Sequence, residues 1–207
     1  MARAGLLTLA VSASGQAADP AGPCFDFGAP VIDPLRPPLP LIEGRDNSAF
    51  GTYPGGIDWA SRRALVNLPI AALYARILDH RYLKDMKKTT LSVTVLERPG
   101  YLELHHVDVV VSVRALLVKL KIAWTEEWGY RLVEGTGEAP RRIVVSYQKI
   151  RGTRYIRHQC GSYVLQARDD GNTDLSLYEE VDAERRSAEN TRDMQAGILV
   201  SLRGPGR

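Results

Sequence analysis

The sequence predicts an α+β fold: a curved antiparallel sheet of about seven strands, with two short helices and one long C-terminal helix over a cavity. Three features lead there. A strand stopped by proline runs straight into a short helix near residue 69. A series of alternating segments follows, joined by turns too short for anything but antiparallel pairing. One amphipathic helix closes the chain.

The first strand is Arg62 to Leu68, ended by Pro69, which has no N–H to give to a ladder. Pro69 suits a first helical turn, and Ile70, Leu73, Tyr74, Ile77 and Leu78 recur at helical spacing behind it. Asp79 can cap a second short helix over His80 to Lys87, with Tyr82, Leu83 and Met86 on its apolar side. Leu91, Val93 and Val95 then alternate with Ser92, Thr94 and Leu96 up to the Pro99-Gly100 turn, and Tyr101 to Ser112 returns as the next strand. Val118, Leu120, Ile122 and Trp124 point one way and Lys119 and Lys121 the other; Trp128, Tyr130 and Leu132 continue on the first parity. Arg142 to Ile150, Tyr155 to Ala167 and Thr173 to Val181 supply three further strands, which makes a meander of about six. The final helix, Ser187 to Leu202, has Ser187 as N-cap and Met194, Ile198 and Leu202 on one face. A sheet this wide with one long helix to cover it must curve, and the space between is where ligand pockets form.

The chain has 207 residues, 44% hydrophobic and 25% charged, which excludes collagenous, coiled-coil, disulfide-dense and wholly disordered classes. Its net charge of +3 comes from 27 basic and 24 acidic residues, so there is no basic field for nucleic acid. No apolar run approaches the roughly 18 to 20 residues of a membrane-spanning helix.

Three regions follow. Residues 1–18 combine Arg3, an apolar run and small residues in the manner of a signal peptide, which places the protein in the periplasm or outside the cell; an ordinary N-terminus, and a cytoplasmic protein, is the alternative. Residues 19–56 form an extended tail that holds seven of the twelve prolines between Pro20 and Pro40 and all three phenylalanines, so part of it is expected to dock on the body. Residues 57–207 form one domain. Cys24 and Cys160 permit one disulfide tying tail to body, or a buried free Cys160, and their separation rules out a zinc site built on CxxC pairs.

Several residues, in this order and spacing, resemble the START-like superfamily, also called SRPBCC or helix-grip, whose members include polyketide cyclase-like and coenzyme Q-binding proteins. They are Arg63 to Ile70 with Leu73-Tyr74 and Leu78-Asp79, then Gly152, Gly161 to Leu165, and Asp170 to Leu175. The resemblance spans residues 61 to 203. Tyr163 stands where such proteins often carry tryptophan, and the proline-rich segment is outside their pattern. The resemblance implies a hydrophobic cavity for a lipid, isoprenoid, polyketide or other apolar small molecule, in a fold that some members use as carriers and others as enzymes.

Candidate chemistry is sparse. HExxH, GxSxG, Walker-type and GxGxxG motifs are missing, and no cofactor or metal is expected. His105 and His106 face opposite sides of a strand. His106 lines the cavity with Asp108 if Leu102 and Leu104 face inwards, and is excluded if Tyr101, Val107, Val109 and Val111 do. Trp124, Trp128, Tyr130, Tyr147 and Tyr163 are the candidate aromatic wall, with Met194 and Ile198 from the helix. Arg76, Arg131, Arg142 and Arg154 are candidate partners for a ligand carboxylate, with solvated surface as their ordinary role. Glu126-Glu127 reads as turn charge, and Glu179 to Arg186 as a strand end and solvated helix start. The leading expectation is an exported, non-catalytic carrier of an apolar small molecule. A cyclase- or aromatase-like enzyme using His106 or a cavity tyrosine, and a filled-core interaction module, are the alternatives.

Overall fold

The computed structural model describes residues 23–29, 34–83, 89–115, 118–184 and 186–204, with only the backbone of residues 113–115 and 118–120. The signal-peptide reading of residues 1–18 and the second helix beyond residue 83 lie outside these residues.

The chain runs β1 (Asn47–Thr52), β2 (Asp58–Val66), α1 (Ile70–Leu78), a 3-10 turn (Arg81–Leu83), β3 (Thr89–Leu96), β4 (Glu103–Ala115), β5 (Val118–Gly135), β6 (Pro140–Gly152), β7 (Ile156–Ala167), β8 (Thr173–Ala183) and α2 (Ala188–Arg203). All eight strands form one antiparallel sheet in the order β1-β2-β8-β7-β6-β5-β4-β3. The six-strand meander β3 to β8 is as the turn spacing predicts. The eighth strand comes from the segment read as extended tail: β1 lies along β2, with Asn47 opposite Arg63 and Thr52 opposite Asp58. A tight turn closes this hairpin, Tyr53 N–H donating to the Ile57 carbonyl at 2.8 Å.

Pro69 precedes α1, whose Ile70, Leu73 and Ile77 are buried. Ser187 caps α2 by accepting from Asn190 N–H, as its position predicts. At the other end Arg76 on α1 donates to the Leu202 carbonyl at 2.6 Å, which ties the two helices and satisfies one of the orphan carbonyls of α2. α2 buries Ile198, Leu199 and Leu202 in one core with Leu175 and Leu177 of β8, Ala64 of β2 and Tyr163 of β7.

The opposite face of the sheet is where the proline-rich segment goes. Phe25 and Phe27 are buried there with Leu104 and Cys160 in a second apolar cluster. Phe25 exchanges two hydrogen bonds with the Gln148 amide, at 2.9 and 3.0 Å. Leu35 N–H donates to Ser162 Oγ, and Arg63, paired with Asp174, donates to the Leu39 carbonyl. Cys24 is disulfide-bonded to Cys160. Gly129 makes room for this layer, since a Cβ there would lie 2.6 Å from the Phe27 ring. The tail is therefore a covering layer on the sheet, and the prolines suit it because an extended segment lying on a sheet face needs no ladder N–H.

Candidate functional site

Alternation along the strands decides what the helix-covered face contains. Its rows run through His105, Val107 and Val109 of β4, then Trp124, Glu126, Trp128 and Tyr130 of β5, then Ile143, Val145 and Tyr147 of β6. They continue through Gln159, Gly161, Tyr163 and Leu165 of β7 to Leu175, Leu177 and Glu179 of β8. A register shift between Thr125 and Glu126 bends β5 at this face.

The aromatic residues singled out in the sequence pack together on this face. Trp128 stacks on Tyr147 with ring centroids 4.3 Å apart, and Tyr163 meets both edge-on at 5.8 and 5.7 Å. Gly161 permits the stack, because a Cβ there would come within 2.4 Å of the Tyr147 ring carbon and hydroxyl. Tyr130 is fully buried, Trp124 is partly exposed, Ile198 is buried, and Met194 packs on the rim of the same core. Burial pushes the phenols of Tyr130, Tyr147 and Tyr163 well above the ordinary tyrosine range, so all three stay neutral.

Set into this wall are polar groups that the sequence reading placed in solvent. Glu126 is buried, and its two oxygens accept from the indole N–H groups of Trp124 and Trp128 at 2.7 and 2.8 Å. Burial raises its pKa from 4.5 to about 7, against those two hydrogen bonds and with help from Glu179. Glu179 is buried as well, accepting from Gln159 Nε2 at 3.2 Å and lying 3.4 Å from the Arg186 guanidinium; burial raises its pKa too. Gln195 of α2 donates to the Ala60 carbonyl at 2.9 Å, directly across β2 and β8 from Glu179. The two amides are thus fixed in orientation by what they donate to, and their Oε1 atoms are left as buried acceptors with no donor among the described residues. Leaving a buried acceptor unmatched costs about 1 to 3 kcal/mol.

A second polar group sits where α1 ends. His80 is completely buried at φ 54°, a conformation uncommon outside glycine. Its Nε2 lies 3.1 Å from His105 Nδ1 and 2.9 Å from Tyr130 Oη, and His105 Nε2 lies 2.8 Å from Glu103. A consistent proton assignment has His105 donating to Glu103 through Nε2–H and His80 donating to His105 and Tyr130 through its own Nε2–H. His80 Nδ1 is then a bare lone pair, and it has no hydrogen-bond partner among the described residues. Burial lowers the His80 pKa from 6.5 to about 3, with His105 adding to the effect.

Several expectations are corrected here. His106 points to the other face, 3.7 Å from Glu127, because the parity that buries Val107 and Val109 sends its neighbour outward. It does not line the interior, and Asp108 beside it contacts Thr125 and Arg151 on that outer side. The four arginines do not line it either: Arg76 caps α2, Arg131 lies over the Tyr101 ring, Arg142 is 3.7 Å from Glu134 and Arg154 is an exposed turn residue. Glu126 and Glu179 are interior residues, and their parity with Trp124, Trp128, Leu175 and Leu177 was a signal available in the sequence. The His80–His105–Glu103 chain had no such signal, since α1 brings His80 to β4 across 25 positions.

An eight-stranded antiparallel sheet gripped by a C-terminal helix, with an aromatic and partly polar interior, is a helix-grip fold. The human StarD13 lipid transfer and protein localization domain superposes with a TM-score of 0.51 at 14% identity, over 78% of this chain and 81% of that one. A STAR-related lipid transfer protein from Xanthomonas axonopodis reaches 0.45 at 12% identity over 75% and 96% of the two chains. The Zhui aromatase/cyclase from a Streptomyces reaches 0.43 at 15% identity, over 70% and 86%. No family model matches the sequence, and no curated protein matches it significantly.

Proposed function

We propose that this protein is an exported carrier that holds a hydrophobic small molecule bearing a hydroxyl group, of lipid, isoprenoid or polyketide type, beneath α2. The observation that carries the reading is the pair of buried, orientation-fixed acceptors, Gln159 Oε1 and Gln195 Oε1, beside an aromatic wall. A ligand hydroxyl is the donor that such acceptors lack, and an apolar body is what the wall binds. At roughly 25 cal/mol per Å², burying a few hundred Å² of ligand supplies several kcal/mol before ordering costs. Exposed Val93 and Val95, on the β3 edge and the same parity as His105 and Val107, form the apolar rim of this face. The Cys24–Cys160 disulfide supports export, since such bonds persist in oxidising compartments.

Binding to a panel that pairs isoprenoid alcohols with the matching hydrocarbons tests this. The wild type should prefer the alcohol about tenfold or more, and Gln195→Leu should abolish that preference while keeping hydrocarbon affinity, a difference of about 1.4 kcal/mol. Equal affinity for both members of each pair, or no binding, would refute the reading.

The second reading, a cyclase-like enzyme, rests on Tyr130, His80, His105 and Glu103. A base at about 3 is poorly matched to proton abstraction at neutral pH, so the chain of imidazoles serves better to fix the Tyr130 hydroxyl than to catalyse. Turnover of a bound polyketide that is lost in Tyr130→Phe with binding retained would restore the enzyme reading.

A further inference from the structure

On the tail-covered face, far from the aromatic wall in chemistry and on the opposite parity, three potential metal ligands converge on one atom. His158 Nε2 lies 3.5 Å from Cys24 Sγ and 3.4 Å from Cys160 Sγ, and 3.7 Å from Glu180 Oε2. Cys160 and Glu180 are register partners across β7 and β8, and His158 is two residues along β7 on the same side. The ligand atoms of Cys24, His158 and Cys160 all lie within 4.8 Å of one another.

The two S···N distances are those of edges of a coordination tetrahedron, whereas the S···S edge, about 3.8 Å in such a site, is held shorter by the disulfide. With zinc–sulfur bonds of about 2.3 Å and zinc–nitrogen bonds of about 2.1 Å, a tetrahedral site has S···N edges of about 3.6 Å, close to both values observed. The corresponding N···O edge is about 3.4 Å, a few tenths below the His158–Glu180 separation. Glu180 is held for the purpose: its other oxygen accepts from Tyr178 Oη at 2.7 Å, and that hydroxyl is paired at 2.7 Å with Tyr53 Oη. The site is also buried, with Cys160 fully enclosed and His158 nearly so. Only the S–S bond stands between this arrangement and four separate ligands. Opening the S···S edge falls to Cys24, which belongs to the covering segment, whereas Cys160 is fixed in the β7 ladder.

We propose that Cys24, Cys160, His158 and Glu180 form a zinc site in the reduced protein, and that disulfide and metal are alternative ways of pinning the covering segment to the sheet. A dithiol reductant converts the disulfide to two thiols and is itself oxidised to a cyclic disulfide. Zn2+ then displaces the two thiol protons to solvent and bonds both thiolates, the neutral imidazole and the carboxylate. In the reverse direction a disulfide oxidant accepts the two electrons by thiol–disulfide exchange and is reduced to its dithiol, which reforms the Cys24–Cys160 bond and releases the ion. Two thiolates, an imidazole and a carboxylate suit Zn2+ in tetrahedral geometry better than a hard cation.

The full chain, reduced with a dithiol and freed of it under argon, should take up one Co2+ with intense visible bands of tetrahedral cobalt and a thiolate-to-cobalt charge-transfer band. One Zn2+ should displace it and raise the melting temperature. The oxidised protein should show neither the bands nor the shift. Cys24→Ser should lose most of the charge-transfer intensity while keeping its circular dichroism, and His158→Ala should bind at least tenfold more weakly. A reduced chain that keeps its circular dichroism and shows no thiolate-to-cobalt band would overturn the proposal. So would a reduced chain that unfolds even with the metal present, or undiminished affinity in His158→Ala.

Discussion

Replacing Glu126 by Gln removes a carboxylate that the fold holds against its preference for water. The buried group has a pKa of about 7 instead of 4.5. At about 1.4 kcal/mol for each pKa unit, that gap corresponds to about 3 kcal/mol. Below 4.5 the group is protonated in both folded and unfolded chains and costs nothing. Between 4.5 and 7 the unfolded chain releases the proton that the folded chain keeps, so stability falls as pH rises, and the full loss is reached above 7. His80 acts in the opposite sense. Its pKa is lowered from 6.5 to about 3, so the stability its neutral form provides is complete above 6.5 and is lost as pH falls towards 3. The wild-type profile is therefore a sum of opposing slopes, and the difference between mutant and wild type isolates Glu126. Gln offers one acceptor where the carboxylate offered two, so one indole N–H is left facing an amide N–H, which adds a constant offset. Urea denaturation across about pH 4 to pH 8 should show Glu126→Gln gaining about 3 kcal/mol relative to wild type between pH 4.5 and 7. A difference that does not change with pH would refute the burial argument for this residue.

Other perturbations separate the two faces of the sheet. Gly129→Ala places a methyl group 2.6 Å from the Phe27 ring, so the covering segment should lift and become cleavable by chymotrypsin at Phe25 and Phe27, with binding on the helix-covered face unchanged. Gly161→Ala drives a methyl group into Tyr147, which is held between Trp128 and Tyr163, and should cost about 3 kcal/mol with a change in tryptophan emission, measured by denaturation and fluorescence. Cys24→Ser removes a cross-link spanning 136 positions and should lower oxidised-state stability by about 2 to 5 kcal/mol in guanidinium melts, where a smaller loss would show that docking of the segment is independent of the bond.

The meander, both helices and the aromatic wall were legible because they depend on local rules: proline stops, alternation and helical spacing. Parity along one strand groups Trp124, Trp128 and Tyr130, while Tyr147 and Tyr163 join them as aromatics of neighbouring strands. The same parity placed Glu126 and Glu179 inside, yet charge argued for solvent, and charge was the weaker guide because two indole N–H groups and an amide satisfy these carboxylates where they lie. For His106 the sequence supports both parities of β4, and the choice is made by what covers each face, the Phe25 and Phe27 layer on one side and the core on the other. β1 was hidden among prolines and glycines, since six residues pairing with one neighbour leave little alternation to read. The convergence of Cys24, Cys160, His158 and Glu180 needs the docked segment and the β7–β8 register together, and neither is written in local spacing.

Native mass spectrometry of the protein purified from its own host, followed by organic extraction, tests the carrier reading most directly. The expected result is a stoichiometric adduct that extracts as an apolar molecule bearing a hydroxyl group and that is lost when the Trp128–Tyr147 stack is disrupted by Gly161→Ala. A clean apo mass, together with no binding across a panel of lipids and isoprenoid alcohols, would contradict it.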